Sequence, residues 1–160
     1  MRDPPKSSLQ AVIRREGRMF KSILVPVDLV EREVSKPALE KAIALSAMTD
    51  ARLHLVYVRS ILPITFMEYV PPSFDEEQVA QCEKEMAELV ATLPIADKSK
   101  VTTSIRLGAI HTQVLEEATQ QNCDLIVVGS HHPSISTILL GSSAATIVRY
   151  APCSVLIVRV

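Results

Sequence analysis

Short runs of β-branched and aliphatic residues recur along this chain, separated by segments with helical periodicity. The runs are Phe20–Val27 (FKSILVPV), Arg52–Val58 (RLHLVYV), Lys100–Leu107 (KVTTSIRL), Asp124–Ser130 (DLIVVGS) and Ser154–Val160 (SVLIVRV). Runs that stay apolar at successive positions are strands covered on both faces, the signature of a parallel sheet. Between them, Ser35–Thr49 carries Pro37 in what reads as its first turn, and Ala38, Leu39, Ala42, Ile43 and Leu45 at helical spacing. Asp75–Leu93 aligns Val79, Cys82, Met86, Leu89 and Leu93 on one stripe, and Ile110–Gln121 turns Ile110, Val114, Leu115 and Ala118 inward. Ser142–Tyr150 reads as a last, short helix, and residues 59–74 as a proline-bearing connection. Strict alternation with right-handed crossovers predicts an α/β fold. Its core is a five-stranded, parallel, doubly wound sheet of order 3-2-1-4-5, with helices on both faces.

Composition narrows the function. At 160 residues the chain has room for one domain, and 48% hydrophobic residues supply a real core. It has no stretch of 18 apolar residues, hence no expected membrane insertion. A net charge of -1 gives no general attraction to nucleic acid, and 4% aromatics without Trp make a poor base-stacking platform. Cys82, Cys123 and Cys153 are scattered without a CxxC pair, which reads as buried thiols in a reducing, cytoplasmic setting rather than a zinc site. Residues 1–18 carry five Lys/Arg against two Asp/Glu and lack the apolar core of a secretory signal. They read as a loosely held N-terminal extension, with Met19 as an alternative start; the domain runs from 19 to 160.

In an open parallel sheet, ligands bind beyond the carboxyl ends of the strands where the order reverses. Here those ends are Pro26-Val27-Asp28 and Gly129-Ser130-His131-His132. Asp28 suits either a turn cap or a carboxylate that meets ribose or metal. The stretch from Gly129 to Ala145 (GSHHPSISTILLGSSAA) has no carboxylate and ends on Gly141-Ser142-Ser143 at a helix N-terminus, a ready anion site. A capped helix after a polar loop would carry the same residues. Neither GxxxxGK[ST] nor a GxGxxG after the first strand is present, so the Walker and dinucleotide modes of phosphate binding are absent. The adjacent His131 and His132 suit a solvated loop or phosphate donation better than metal, as no third ligand stands near them. His54, within a strand, reads as structural.

These pieces resemble the universal stress protein family, in its small single-domain bacterial form. The resemblance rests on ILVPVD (Ile23–Asp28), HLVYV, GAIHTQVLEEA, DLIVVGSHH and LLGSSAATIVRYAPCSVLIVR, and covers residues 19–160. The ATP-binding branch carries G-x2-G-x9-G-[ST]. This chain keeps Gly129 and Gly141-Ser142, has His132 at the second glycine, and its loop is one residue shorter. The resemblance implies an adenine-nucleotide site, with ATP and possible accompanying Mg2+. Pro26, Val27 and Asp28 would lie along adenosine, and Val58 would meet adenine through its backbone. Val128 and Gly129 would lie under ribose and phosphates. Ser130, His131 and His132 would line the phosphate loop, and Gly141, Ser142, Ser143 and Ala144 would hold phosphates.

The function expected from all this is a stress-response regulator acting through nucleotide-linked conformation or partner binding. The alternative is an interaction module of the same fold that binds no nucleotide. No general base stands against a nucleophile, so no dedicated enzyme is expected; slow ATP hydrolysis or self-modification at Ser134 or Ser136 is what the resemblance would allow. The last strand is apolar and lies at a sheet edge, where unprotected strands pair, so a homodimer through that strand is expected, with Val155 or Ile157 near the seam.

Overall fold

The structure, a computed structural model, describes residues 19–61, 73–130 and 141–159. Among these, strands and helices alternate as β1 (Ser22–Pro26), α1 (Arg32–Thr49), β2 (Arg52–Arg59), α2 (Phe74–Thr92), β3 (Val101–Leu107), α3 (Ile110–Gln120), β4 (Leu125–Gly129), α4 (Ser142–Tyr150) and β5 (Ser154–Val158). A 3-10 turn at Lys98–Lys100 precedes β3. All pairings are parallel and the order is β3-β2-β1-β4-β5, as the alternation predicts.

The period of two along each strand divides the core into two layers. Ile23, Val25, Val27, Leu53, Leu55, Leu125 and Val127 face one way, against Ala38, Leu39 and Ala42 of α1 and Met86 of α2. Leu24, Val56, Ile126 and Val128 face the other way, against Val114 and Ala118 of α3 and Ala144 and Ile147 of α4. Ile23, Leu24, Val25, Leu55, Val56, Ile126 and Val127 have no measurable exposure. Each such side chain contributes about 1.5–3 kcal/mol through burial. A continuous apolar run is therefore required of the central strands, because both of their faces are inside.

Helix α1 begins earlier than its sequence suggests. The Asp28 carboxylate accepts the amides of Val30 and Glu31, both at 2.8 Å, and this turn starts the helix at Arg32. Pro37 consequently sits inside α1 rather than in its first turn, where it removes one intrahelical donor. The helix closes on Asp50 in the left-handed region (φ 57°), and α3 is followed by Asn122 in the same region (φ 50°), residue types that tolerate it. The Lys98 ammonium caps α2 by donating to the carbonyls of Val90, Ala91 and Leu93. Gly108 joins β3 to α3 at φ +143°, where a Cβ would also meet the Gln113 side chain at 3.2 Å; glycine is required there.

The strand ladders show where the sheet opens. β1 pairs with β2 over its whole length, and β4 pairs with β5 from Leu125 to Gly129. Between β1 and β4 only Ile23↔Leu125 and Leu24↔Ile126 are paired. Beyond those pairs the two central strands are not laddered, and their carboxyl ends border a crevice. Among the described residues, no helix is long and apolar enough to cross a membrane.

Candidate functional site

The crevice at the β1–β4 reversal is a cavity of about 210 Å³. Its floor is the end of β1 and the turn after it, Pro26, Val27 and Asp28, with Val128 and Gly129 of β4 beside them. Val56, Tyr57 and Val58 of β2 form one wall, Ser143, Ala144 and Ile147 of α4 another. Val34 and Ser35 of α1 and Ile110 at the start of α3 complete it. The cavity is apolar along its walls with polar groups at the strand ends, the usual build of a small-ligand site.

Asp28 performs the local task and faces the cavity as well. Its Oδ1 accepts the Val30 and Glu31 amides, while its own amide donates to Ser35 Oγ at 3.1 Å. It is the turn cap, one of the two readings of this residue, and it lines the cavity at the same time. Across the crevice, Gly129 lies under α1, with room for a Cβ at an ordinary 3.5 Å from the Val34 carbonyl. Its flexibility is not needed by the fold.

Helix α4 presents its N-terminus to the same opening. Gly141 is the N-cap, no side chain caps the helix, and its first turn holds no acid. Among the described residues no side chain takes the amides of this first turn, and the helix dipole favours negative charge there. Among the described residues, a Cβ at Gly141 would meet nothing within 4 Å.

Of the residues expected at the site, Pro26, Val27, Asp28, Val58, Val128, Gly129, Ser143 and Ala144 line the cavity together. Gly141 and Ser142 stand at the mouth of α4 but are not part of the lining. Ser130 is also outside it, and its amide is committed to the sheet, donating to the Val158 carbonyl at 2.9 Å. His131 and His132, with Ser134 and Ser136, lie outside the described residues. The sequence reading did not include Val34, Ser35, Val56, Tyr57, Ile110 or Ile147. Ile110, expected inward, is 46% exposed and forms a rim of the cavity instead. Among the described residues no group of three or more His, Cys, Asp or Glu could hold a metal ion.

A second polar assembly is buried beneath α3. His54 of β2 lies at 4% exposure and Glu117 at 1%. His54 Nε2 is 2.7 Å from Glu117 Oε1, and Nδ1 is 2.6 Å from the Thr102 hydroxyl. Glu117 Oε2 accepts from Arg106 Nε, and Oε1 also accepts from Gln121 at 3.1 Å. Burial alone would raise the Glu117 carboxyl, but donation from Arg106, Ser104 and His54 outweighs it and holds its pKa below the usual range. Burial depresses the His54 pKa against the opposing pull of Glu117. The pair is an ionised glutamate and a neutral histidine donating through Nε2. This is the structural role expected of His54, built on a partner the sequence did not reveal. Burial likewise pushes the free Cys82, Cys123 and Cys153 thiols up, away from thiolate chemistry.

Comparison with known proteins gives one answer. The profile of the universal stress protein family matches residues 19–159. Universal stress protein G of Shigella flexneri is 35% identical over 144 residues, spanning 88% of this chain and all of the relative. The solved structure of universal stress protein UspA from Lactobacillus plantarum superposes with a TM-score of 0.70 at 24% identity, covering 87% of this chain and 97% of the other. A universal stress protein solved in complex with cAMP superposes with a TM-score of 0.60 at 21% identity, covering 88% and 97%.

Proposed function

The chain belongs to the universal stress protein family, and on that premise we propose that it is an adenine-nucleotide-binding stress-response regulator whose ligand occupies the β1–β4 crevice. The observation that carries this reading is the convergence of three features on one cavity. These are a carboxylate after β1, a glycine at the end of β4, and the first turn of α4, which has no acid, a glycine as its N-cap and Ser143 and Ala144 in the cavity wall. Such an arrangement is matched to a ligand that is apolar at one end and anionic at the other.

In this reading the base lies between Val27, Val58 and Ile110, where the Val58 backbone distinguishes adenine. Asp28 Oδ2 accepts from the ribose hydroxyls. The amides and hydroxyls of Ser142 and Ser143 meet the phosphates, and Gly141 lets them approach. The donor set fits an anion, and the cavity has no carboxylate cluster that would hold a divalent ion by itself. Mg2+ would therefore come with ATP, bound by phosphate oxygens and water, and would offset phosphate charge. Ser130, His131 and His132 belong to the same proposal as residues on the phosphate side, where their side chains would donate to the ligand. Three free thiols with raised pKa values fit a reducing, cytoplasmic setting.

Mass spectrometry of the nucleotide released from purified, denatured protein tests this reading. Recovery of an adenine nucleotide at a substantial fraction of the protein concentration is expected. A protein that carries none, and takes up none when incubated with millimolar ATP, would be the interaction module of the same fold.

A further inference from the structure

His54 is oriented as a base as well as buried. Its Nε2–H is given to Glu117 Oε1 at 2.7 Å, so the lone pair on Nδ1 faces the Thr102 hydroxyl, which donates to it at 2.6 Å. Hydroxyl, imidazole and carboxylate therefore stand in series, each within hydrogen-bond reach of the next. That is the arrangement that activates a nucleophilic hydroxyl. The β2–β3 register builds it, because Thr102 is the strand partner of His54. Two residues on, Ser104 Oγ lies 3.1 Å from Nε2, the nitrogen already given to Glu117. Arg106 binds Glu117 through Nε and Gln120 through Nη2, which fixes the carboxylate behind the ring. Burial is graded along the series: Glu117 and His54 are inside, whereas Thr102 is exposed on β3, an edge strand of the sheet. The reactive end thus opens to solvent, and its base and orienting acid are held in the core. None of the three residues lines the nucleotide crevice.

We propose that Thr102 is an acyl-acceptor site, where the hydroxyl, activated by His54, takes an acyl group from a small activated ester. In this step Thr102 Oγ1 bonds to the carbonyl carbon of the ester and passes its proton to His54 Nδ1. The Glu117 carboxylate stabilises the imidazolium that forms. The bond from the carbonyl carbon to the leaving oxygen then breaks, and the proton on Nδ1 goes to that oxygen. His54 returns to its neutral form, and the products are O-acyl-Thr102 and the released alcohol or phenol. An edge strand presents backbone amides on its open side, where they meet the developing oxyanion. Arg106 is committed to Glu117 and Gln120, so an uncharged carbonyl suits this site better than a phosphoryl group. A search for a base against a nucleophile along the sequence misses the pair, since His54 and Thr102 are 48 residues apart and meet only through strand pairing.

The test is incubation of the full-length protein with p-nitrophenyl acetate near neutral pH. An acetyl group should appear on Thr102, located by tandem mass spectrometry within the peptide Val101–Arg106. Thr102→Ser should still be acetylated at that position, and Thr102→Val, which keeps the shape without the hydroxyl, should not be. Folded His54→Gln should acetylate Thr102 about tenfold or more slowly. Acetyl groups only on lysines or on Ser104, or an unchanged rate at Thr102 in folded His54→Gln, would overturn the proposal. The Thr102 variants alter an exposed edge position, so the test stands even if His54→Gln does not fold.

Discussion

Asp28 sets a local turn and lines the crevice with the same side chain. Its Oδ1 holds the Val30 and Glu31 amides, which sets where α1 begins, and that start brings Val34 and Ser35 to the cavity wall. Asp28→Ala should cost about 1 kcal/mol, the typical value of a lost cap. Asp28→Asn keeps an acceptor for the same amides and should retain most of that stability. Denaturant titration of the two variants checks this; equal losses would mean that the turn does not depend on the side-chain oxygen. Gly108 is the opposite case, a residue chosen for backbone alone. At φ +143°, with Gln113 at 3.2 Å from a would-be Cβ, Gly108→Ala should destabilise by at least about 1 kcal/mol. An unchanged denaturation midpoint would contradict that account.

At the scale of elements, α3 is anchored through charge as well as through Val114 and Ala118. Glu117 receives His54, Arg106 and Gln121 in a buried position, so it ties α3 to β2 and β3. Both titrations act in the same direction. The folded-state pKa of His54 lies below its ordinary 6.5, so its contribution is complete above that pH and is lost as pH falls from there. The folded-state pKa of Glu117 lies below its ordinary 4.5, so its contribution is lost further into acid. The melting temperature should therefore fall from pH 7 to pH 5, and His54→Gln should flatten that slope; a slope equal to wild type would remove His54 as its source. This cluster also marks where sequence reading stops. An acid in a helix is ordinarily a solvated residue, and Glu117 can be recognised as buried only once β2 and β3 bring His54 and Arg106 under it. The strands and helices themselves were legible, because burial on both faces forces unbroken apolar runs such as Ile23–Val25 and Ile126–Val128. Four of the residues lining the crevice, Val34, Val56, Ile110 and Ile147, carry no polar signal, and Tyr57 sits in an otherwise apolar strand run, so only their convergence in space identifies them. Ser35 became part of the wall only because the Asp28 turn starts α1 three residues earlier than its periodicity suggests.

At the scale of the whole molecule, the two sheet edges differ. β3 exposes Thr102 and Thr103 and carries Arg106, whereas β5 is apolar, with Leu156 at 36% exposure and Val148 and Tyr150 of the adjoining α4 also exposed. We propose pairing of β5 with its copy, on the argument that an unprotected apolar edge is otherwise a liability. Val155 and Ile157 pack into the α3–α4 layer, so Leu156 is the better probe of the seam. Light scattering should give about twice 17.6 kDa for the wild-type chain and a smaller mass for folded Leu156→Lys; a wild-type monomer at tens of micromolar would exclude the pairing. The central claim, a nucleotide held between Asp28 and the N-terminus of α4, is tested most directly by calorimetric titration of ATP into wild type and Gly141→Val. Among the described residues a Cβ at Gly141 meets nothing within 4 Å, so the variant should fold, with at most the loss of about 1 kcal/mol that valine at an N-cap brings, while its branched side chain enters the path of the phosphates. The account predicts ATP binding by the wild type and a loss of about tenfold or more in affinity, at least 1.4 kcal/mol, in the variant. Equal affinity of the two folded proteins for ATP would contradict it.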